Sequence, residues 1–359
     1  MLEVNLNGLN EYTNGDIGGV MFPFIFGLGG CGERLANRFE LLGGDTHLFN
    51  FSEDSSGIRR VPFYDYGGTG RQPDVGRELY KKMQQQFYSH MDSYINEKPI
   101  LICVGLGGGS GSGILFPLLK DMQKIVKSRG IQLNHFIIGV IPENDIELRK
   151  RALKDIQGLQ NYVNTAEYPP TVFIVDNDYM VKSYSTDTFG GYKNINDYIL
   201  FPFRFFRRLA SHDSGWDQSW KKLDFKDFMT IISVKGFADF RRYDTVKKRW
   251  VSLFSDIQDQ YRMKAYCFGI ECNERYANRL DLLQLHEIIK KFGKVPSVKS
   301  LHIGTSVKEV AMMNLVTGMP LSKRIVRLSN QVKNEYKKVR AKVKDEEIEL
   351  GLDEMENLI

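Results

Sequence analysis

Nine residues, Gly105-Leu106-Gly107-Gly108-Gly109-Ser110-Gly111-Ser112-Gly113, hold six glycines and two hydroxyls between the apolar run 99–104 and the helix-like run 114–120. Such a segment cannot build a core, but it can cradle an anion. A strand that ends in a glycine loop and re-enters a helix leaves unpaired N–H groups at the positive end of the helix dipole, which favours phosphate. A flexible linker would lack the apolar run before the glycines and the immediate helix start after them. Two further loops have the same character. Gly27-Leu28-Gly29-Gly30-Cys31-Gly32 follows the apolar run 20–26 and spells G-x-G-x-x-G, and Gly67-Gly68-Thr69-Gly70-Arg71-Gln72-Pro73 opens a helix. One such match is a weak sign of a dinucleotide site. Three on one edge of a sheet suggest a triphosphate wrapped by backbone amides.

The elements that must position these loops follow from periodicity. Short apolar runs at 20–26, 46–51, 99–104, 135–141 and 171–175 read as buried strands, and they alternate with helical patterns near 35–42, 74–94, 114–128 and 145–163. That alternation implies βαβ units, a mostly parallel sheet and ligands outside the carboxyl ends of the strands. A long helix over 192–212, apolar through Ile195, Ile199, Phe203, Phe206 and Leu209, carries Pro202 inside it, where a kink or break is expected. Beyond it the pattern restarts, with helices at 225–232, 245–261 and 280–292, strands at 233–240, 264–272 and 299–305, and a long basic helix from Pro320. The expected organisation is an arm over 1–20, a nucleotide-binding domain over 21–191, the linking helix 192–212, a smaller α/β domain over 213–319, and a C-terminal helix and tail over 320–359.

Composition narrows the class. The chain has 359 residues, 42% of them hydrophobic, and a formal charge of +5. No segment approaches the roughly 18 unbroken apolar residues of a membrane span, and the first residues lack the shape of a signal peptide, so a cytoplasmic protein is expected. Cys31, Cys103, Cys267 and Cys272 show no C-x-x-C spacing, and the six histidines are scattered, so neither disulfides nor a His/Cys metal site are expected. Charge is uneven: 321–344 carries nine Lys or Arg against the single Glu335, whereas 345–359 carries seven acids and no base. This suits contact with a partner subunit or nucleic acid. Tyr336 is the one aromatic in the basic run, so direct nucleic-acid binding is not the expected role.

Gly107-Gly108-Gly109-Ser110-Gly111-Ser112-Gly113 resembles the G-G-G-T-G-S/T-G signature loop of the tubulin and FtsZ superfamily, with Ser110 in place of the usual Thr. The family's other loops then fall into chain order. The segment 27–32 is similar to its first glycine loop, and Asn50 to the asparagine of its Asn-Thr-Asp loop. The segment from Gly68, Thr69 and Gly70 to Arg77 is similar to its loop around the γ-phosphate. Asn196-Asp197 resembles the pair that reads guanine, Tyr192 stands where an aromatic stacks on the base, and Glu147 with Arg151 resembles the ribose-contacting pair, with Glu143 as a rival. Leu223-Asp224-Phe225-Lys226-Asp227 keeps the D-F-x-D spacing of the family's catalytic loop, with Lys222 where an asparagine is usual. The resemblance covers about 20–232.

By that resemblance the protein is a GTPase that holds GTP or GDP with magnesium and assembles head to tail, Asp224 and Asp227 of one subunit polarising the water in the site of the next. Such a heterologous contact builds open filaments. Asp224 also has the place and type of a helix N-cap before Phe225. A long C-terminal helix ending in a charged tail resembles the plasmid- and phage-encoded bacterial tubulins, of TubZ and PhuZ type, which implies DNA positioning through an adaptor protein. The acidic tail is expected to dock on the next subunit. An FtsZ-like division protein is the nearer alternative; a flexible linker with a terminal anchor peptide, its mark, is not apparent. A nicotinamide-dinucleotide enzyme built on the first glycine loop is the alternative from another class. It would place an acid at the end of the second strand, where Asn50 stands, with Glu53 slightly later. A scaffold that binds nucleotide without hydrolysing it, suggested by Lys222, is the third.

Overall fold

The computed structural model describes residues 20–51, 69–143, 145–184, 191–211, 223, 225–244, 249–255, 263–272, 297–303 and 311–319, with residues 329, 330, 332, 334, 337 and 338 of the C-terminal segment. Its first half alternates strands and helices: β1 (Phe24–Leu28), α1 (Gly29–Phe39), β2 (Asp45–Phe49), α2 (Pro73–Lys82), α3 (Gln84–Tyr94), β3 (Ile100–Gly105), α4 (Ser110–Arg129), β4 (His135–Ile141), α5 (Ile146–Thr165) and β5 (Thr171–Asp176). There follow α6 (Asn177–Tyr184), α7 (Gly191–Ser211), α8 (Phe225–Ile232), β6 (Gly236–Asp244), β7 (Arg249–Ser252), β8 (Ala265–Cys272), β9 (Ser297–Ile303) and β10 (Ala311–Met319).

One ten-stranded sheet runs in the order β2-β1-β3-β4-β5-β6-β10-β8-β9, with β7 beside β6. The strands from β2 to β6 are parallel, β10 is antiparallel to both β6 and β8, and β9 is parallel to β8. Alternate side chains of each strand enter different cores. Ile100, Ile102 and Val104 face the cluster built with α2, α3, α4 and α5. Leu101 and Cys103 face the cluster built with α1, α6, α7 and α8. A sheet covered on both faces needs strands apolar at every position, which is why β3, β4 and β5 read as unbroken apolar runs.

Four expectations are corrected. The first strand begins at Phe24 rather than Val20. The helix expected over 74–94 is two helices, meeting at Met83, whose N–H is shared between the Leu79 and Tyr80 carbonyls at 3.1 Å each. Gln84 opens the second and donates to Asp121 of α4, which also accepts from Tyr80 at 2.9 Å, so α4 grips both sides of the break. The helix expected over 245–261 is replaced, in its described part, by strand β7. Trp250 pairs opposite Tyr243 and packs its ring on Tyr243 and Phe268, a cross-strand aromatic contact that outweighs the helical spacing of Trp250, Leu253 and Phe254. Residues 311–319, given no element by periodicity, form β10 in the interior of the sheet. Pro202 sits within α7 without ending it.

His135 opens β4 and is buried, which pushes its imidazole down to about 3. The folded protein therefore holds it neutral, whereas the unfolded chain protonates it below its ordinary 6.5. The stability tied to this group is present above pH 6.5 and lost as pH falls. At pH 5 the loss from His135 is about 2 kcal/mol. Buried His47, pushed down to about 4 by burial and then by the His90 charge, acts in the same direction. Urea unfolding at pH 7 and pH 5 measures this slope, and His135→Phe should flatten it; an equal slope in the variant would refute the assignment.

Candidate functional site

Parallel strands bring their following loops to one edge of the sheet, and here three glycine loops meet there. α1 starts directly after β1, α4 follows β3 through 106–109, and α2 follows the turn 69–72. Gly29 has φ 66°, and a Cβ on it would lie 2.7 Å from the Gly111 nitrogen, so the starts of α1 and α4 touch backbone to backbone. A Cβ on Gly105 would lie 2.7 Å from that of Cys31, and one on Gly109 would collide with the Thr69 hydroxyl. Thr69 Oγ1 and Ser110 Oγ face each other at 3.5 Å. Gly113 serves packing, because a Cβ there would come within 2.7 Å of Gly76 where α2 crosses α4.

The helix starts at these loops differ from α5 in one respect. At α1, α2 and α4 the preceding residues Leu28, Gln72 and Gly109 supply no side-chain cap. α5 is capped by Asp145, which accepts from Leu148 N–H at 2.9 Å. Neither α1 nor α4 has an acid in its first turn. Two neighbouring helix starts with N–H groups unmatched by side chains are suited to hold an anion.

The remaining expected residues are distributed around this edge. Asn50 follows β2 and donates to Glu33 of α1 at 3.1 Å, tying the end of β2 to the first glycine loop. Glu147 is exposed in the first turn of α5. Arg151, one turn on, donates to the Arg71 carbonyl at 2.7 Å and so links α5 to the turn before α2. Gly27, Gly30, Gly32, Gly107, Gly108 and Ser112 lie in or beside the glycine loops, with the Ser112 side chain buried near Asp155. Asn196 is half-buried on α7, whereas Asp197 is paired with Arg38 of α1 at 3.5 Å. Adjacent helix positions point about 100° apart, so the two side chains do not share a direction. Tyr192 lies in α7, but its side chain, like Gly68 and Asp224, is outside the described residues.

Asp155 and Glu33 were not singled out by sequence. Asp155 Oδ2 accepts from Gly107 N–H at 2.8 Å, holding the loop from behind. Burial pushes its carboxyl up, opposed by Ser112, the Gly107 N–H and the Arg77 charge. Its one sequence cue is its place four residues after Arg151 on α5. Glu33 is buried one turn into α1, a position that ordinarily takes an apolar residue.

Asp227 lies elsewhere. α8 leads into β6, whose first residue bonds to Pro170 ahead of β5; the Val234 carbonyl accepts from Thr171 and Ser233 donates to Asn134, just before β4. Those contacts are at the amino ends of the parallel strands. α7, of 21 residues, leads away from the carboxyl edge and is about 30 Å long. Exposed Asp227 is therefore on the edge of the sheet opposite the glycine loops.

A mostly parallel, two-sided α/β sheet with three converging glycine loops and a long helix leading to the opposite edge is the tubulin/FtsZ fold. The GTPγS-form protofilament structure of TubZ from Bacillus thuringiensis serovar israelensis superposes with a TM-score of 0.75 at 16% identity, over 95% of this chain and 98% of that one. Its GDP-form protofilaments give 0.75 at 16% identity, over 97% and 100%. CetZ2 from Haloferax volcanii, in a GTPγS-bound protofilament, gives 0.64 at 17% identity, over 88% and 99%. No family model and no curated protein matches the sequence. Among the described residues, no helix is long and apolar enough to cross a membrane, and no cluster of three His, Cys, Asp or Glu could hold a metal.

Proposed function

We propose that the protein is a GTPase that polymerises head to tail and hydrolyses GTP at the contact between subunits. The observation that carries this is the separation of anion site and acid: the glycine loops occupy the carboxyl edge of the sheet and Asp227 the amino edge. A second copy stacked along the sheet brings the two together. The fold likeness to protofilaments in GTPγS and GDP forms supports the same reading. In it, the N–H groups of 108–111 and 29–32 hold the phosphates, Asn196, Asp197 and Tyr192 the base, and Glu147 with Arg151 the ribose. Asp224 and Asp227 from the neighbour orient the attacking water. Magnesium, held chiefly by the phosphates, suits the Thr69 and Ser110 hydroxyls as hard oxygen donors and would neutralise charge developing on them.

The finer role is DNA positioning: filaments move or place plasmid or phage DNA in the cytoplasm through an adaptor bound to the C-terminal segment. The division of the chain into a nucleotide-binding part, the linking helix α7 and a C-terminal part belongs to the same reading. Purified protein is expected to bind GTP in preference to NAD, and to form sedimentable filaments with GTP, persisting with GTPγS, by electron microscopy. Preference for NAD, or no assembly with either guanine nucleotide, would refute it.

A further inference from the structure

α5 presents one face to the glycine loop that precedes α4. Leu148, Ala152 and Asp155 stand on it at helical spacing, and a Cβ on Gly107 would strike the Leu148 carbonyl and lie 2.8 Å from the Ala152 nitrogen. The Gly107 N–H points into this face, where Asp155 Oδ2 accepts it at 2.8 Å. Gly107 then turns with φ 76°, and the amides of 108–111 follow. The bond to Asp155 thus fixes the point from which those amides leave α5.

A neutral acceptor could make the same bond. Asp155 instead sets a carboxylate behind amides suited to an anion. Burial pushes its carboxyl up, and the groups that favour its ionised form are the Ser112 hydroxyl, the Gly107 N–H and the Arg77 charge. Arg77 is shared and wet: it donates to Asp74 at 2.6 Å and is 44% exposed. Asp155 is therefore held by hydrogen bonds rather than by an ion pair among the described residues. A weakly screened negative charge on the far side of the loop repels any anion that the amides attract.

We infer that Asp155 is a positioning residue with two opposed effects: it orients the amides of 108–111 through Gly107, and its charge loosens their hold on the phosphates, so that bound nucleotide leaves faster. The inference rests on the nucleotide reading given above. Asp155 acts through the loop and does not touch the nucleotide. Orientation comes from the acceptor oxygen and loosening from the charge, so substitution can separate them.

Asp155→Asn keeps an acceptor for Gly107, can donate to the Ser112 hydroxyl and removes the charge. Asp155→Ala removes charge and acceptor together. In the full-length protein we expect Asp155→Asn to bind GTPγS and GDP about tenfold more tightly than wild type, with the gain in a slower dissociation rate. Asp155→Ala should bind both several-fold more weakly than Asp155→Asn. Fluorescent-nucleotide titration and stopped-flow chase give the affinities and rates, with thermal unfolding as the check on folding. Affinity in Asp155→Asn equal to or below wild type overturns the inference, because a purely structural carboxylate gives no gain when it is neutralised. Equal affinity in the two variants also overturns it, since the bond to Gly107 would then orient nothing. Wild-type protein that binds neither nucleotide would instead refute the nucleotide reading.

Discussion

Asp227→Ala is expected to keep GTP affinity near the wild-type value while GTP turnover falls about 10²-fold or more. The size follows from the usual contribution of a positioned carboxylate acting on water. The selectivity follows from placement. Asp227 is exposed in the first turn of α8, at the amino edge of the sheet, and its own subunit's glycine loops lie at the carboxyl edge. Its removal leaves the binding loops untouched. Its structural role is that of an acid at a helix start, worth about 0.3–1 kcal/mol, so the variant should fold. On the proposed head-to-tail reading two copies complete the site, so wild-type turnover per subunit should also rise with protein concentration, and the variant should bind nucleotide without that rise. Binding by fluorescence titration and phosphate release across a dilution series give both quantities. Turnover in the variant equal to wild type, or wild-type turnover independent of concentration, would count against a shared site.

Gly107→Ala is expected to cost about 3 kcal/mol of stability and to weaken nucleotide binding by more than tenfold. Two terms add. Gly107 has φ 76°, where a side chain costs roughly 1–2 kcal/mol. Its new Cβ would strike the Leu148 carbonyl oxygen, a backbone atom inside α5 that cannot rotate away, and such overpacking costs typically about 1–3 kcal/mol. Relief requires the loop to leave α5, which breaks the Gly107 N–H to Asp155 bond and shifts the amides of 108–111. Gly130→Ala is the control. Gly130 has φ 65°, but nothing lies within 4 Å of its would-be Cβ, so it should cost only the backbone term and leave binding unchanged. Thermal unfolding with nucleotide titration separates the two variants. Equal destabilisation would show that the collision with α5 carries no weight.

Much of the first half was legible because its signals are local. A parallel strand covered on both faces must be apolar throughout, and the glycine loop after it must admit backbone contacts that a Cβ would block. Thus β3, β4, β5 and the loops at 27–32 and 105–113 are legible from local sequence alone. The second half was harder for a physical reason. Trp250 of β7 and Leu253 and Phe254 just after it have a spacing that also fits a helix, and a partner eleven or fewer residues back in β6 decides between them. β10 lies between β6 and β8 with Asn314 and Thr317 fully buried, polar residues that blur a strand pattern; Thr317 is satisfied by the carbonyls of Ile231 and Ala265. The apolar period runs on through Met83, so the spacing predicts one helix where α2 and α3 stand, and only the contacts of Asp121 mark the break.

Sequence by itself determined that two glycine loops follow strands of a parallel sheet, that a third opens a helix, and that a D-F-x-D segment lies beyond a long helix, because composition and periodicity are properties of neighbours along the chain. Tertiary structure alone decided what crosses between segments. It set Asp155 behind Gly107, 48 residues away, Arg151 on the carbonyl of Arg71, 80 residues away, and Asp197 of α7 against Arg38 of α1. It also put Asp227 on the far edge from the loops. A carboxylate's partner depends on which elements the sheet order makes adjacent, and that order is fixed by long-range packing that no local pattern encodes.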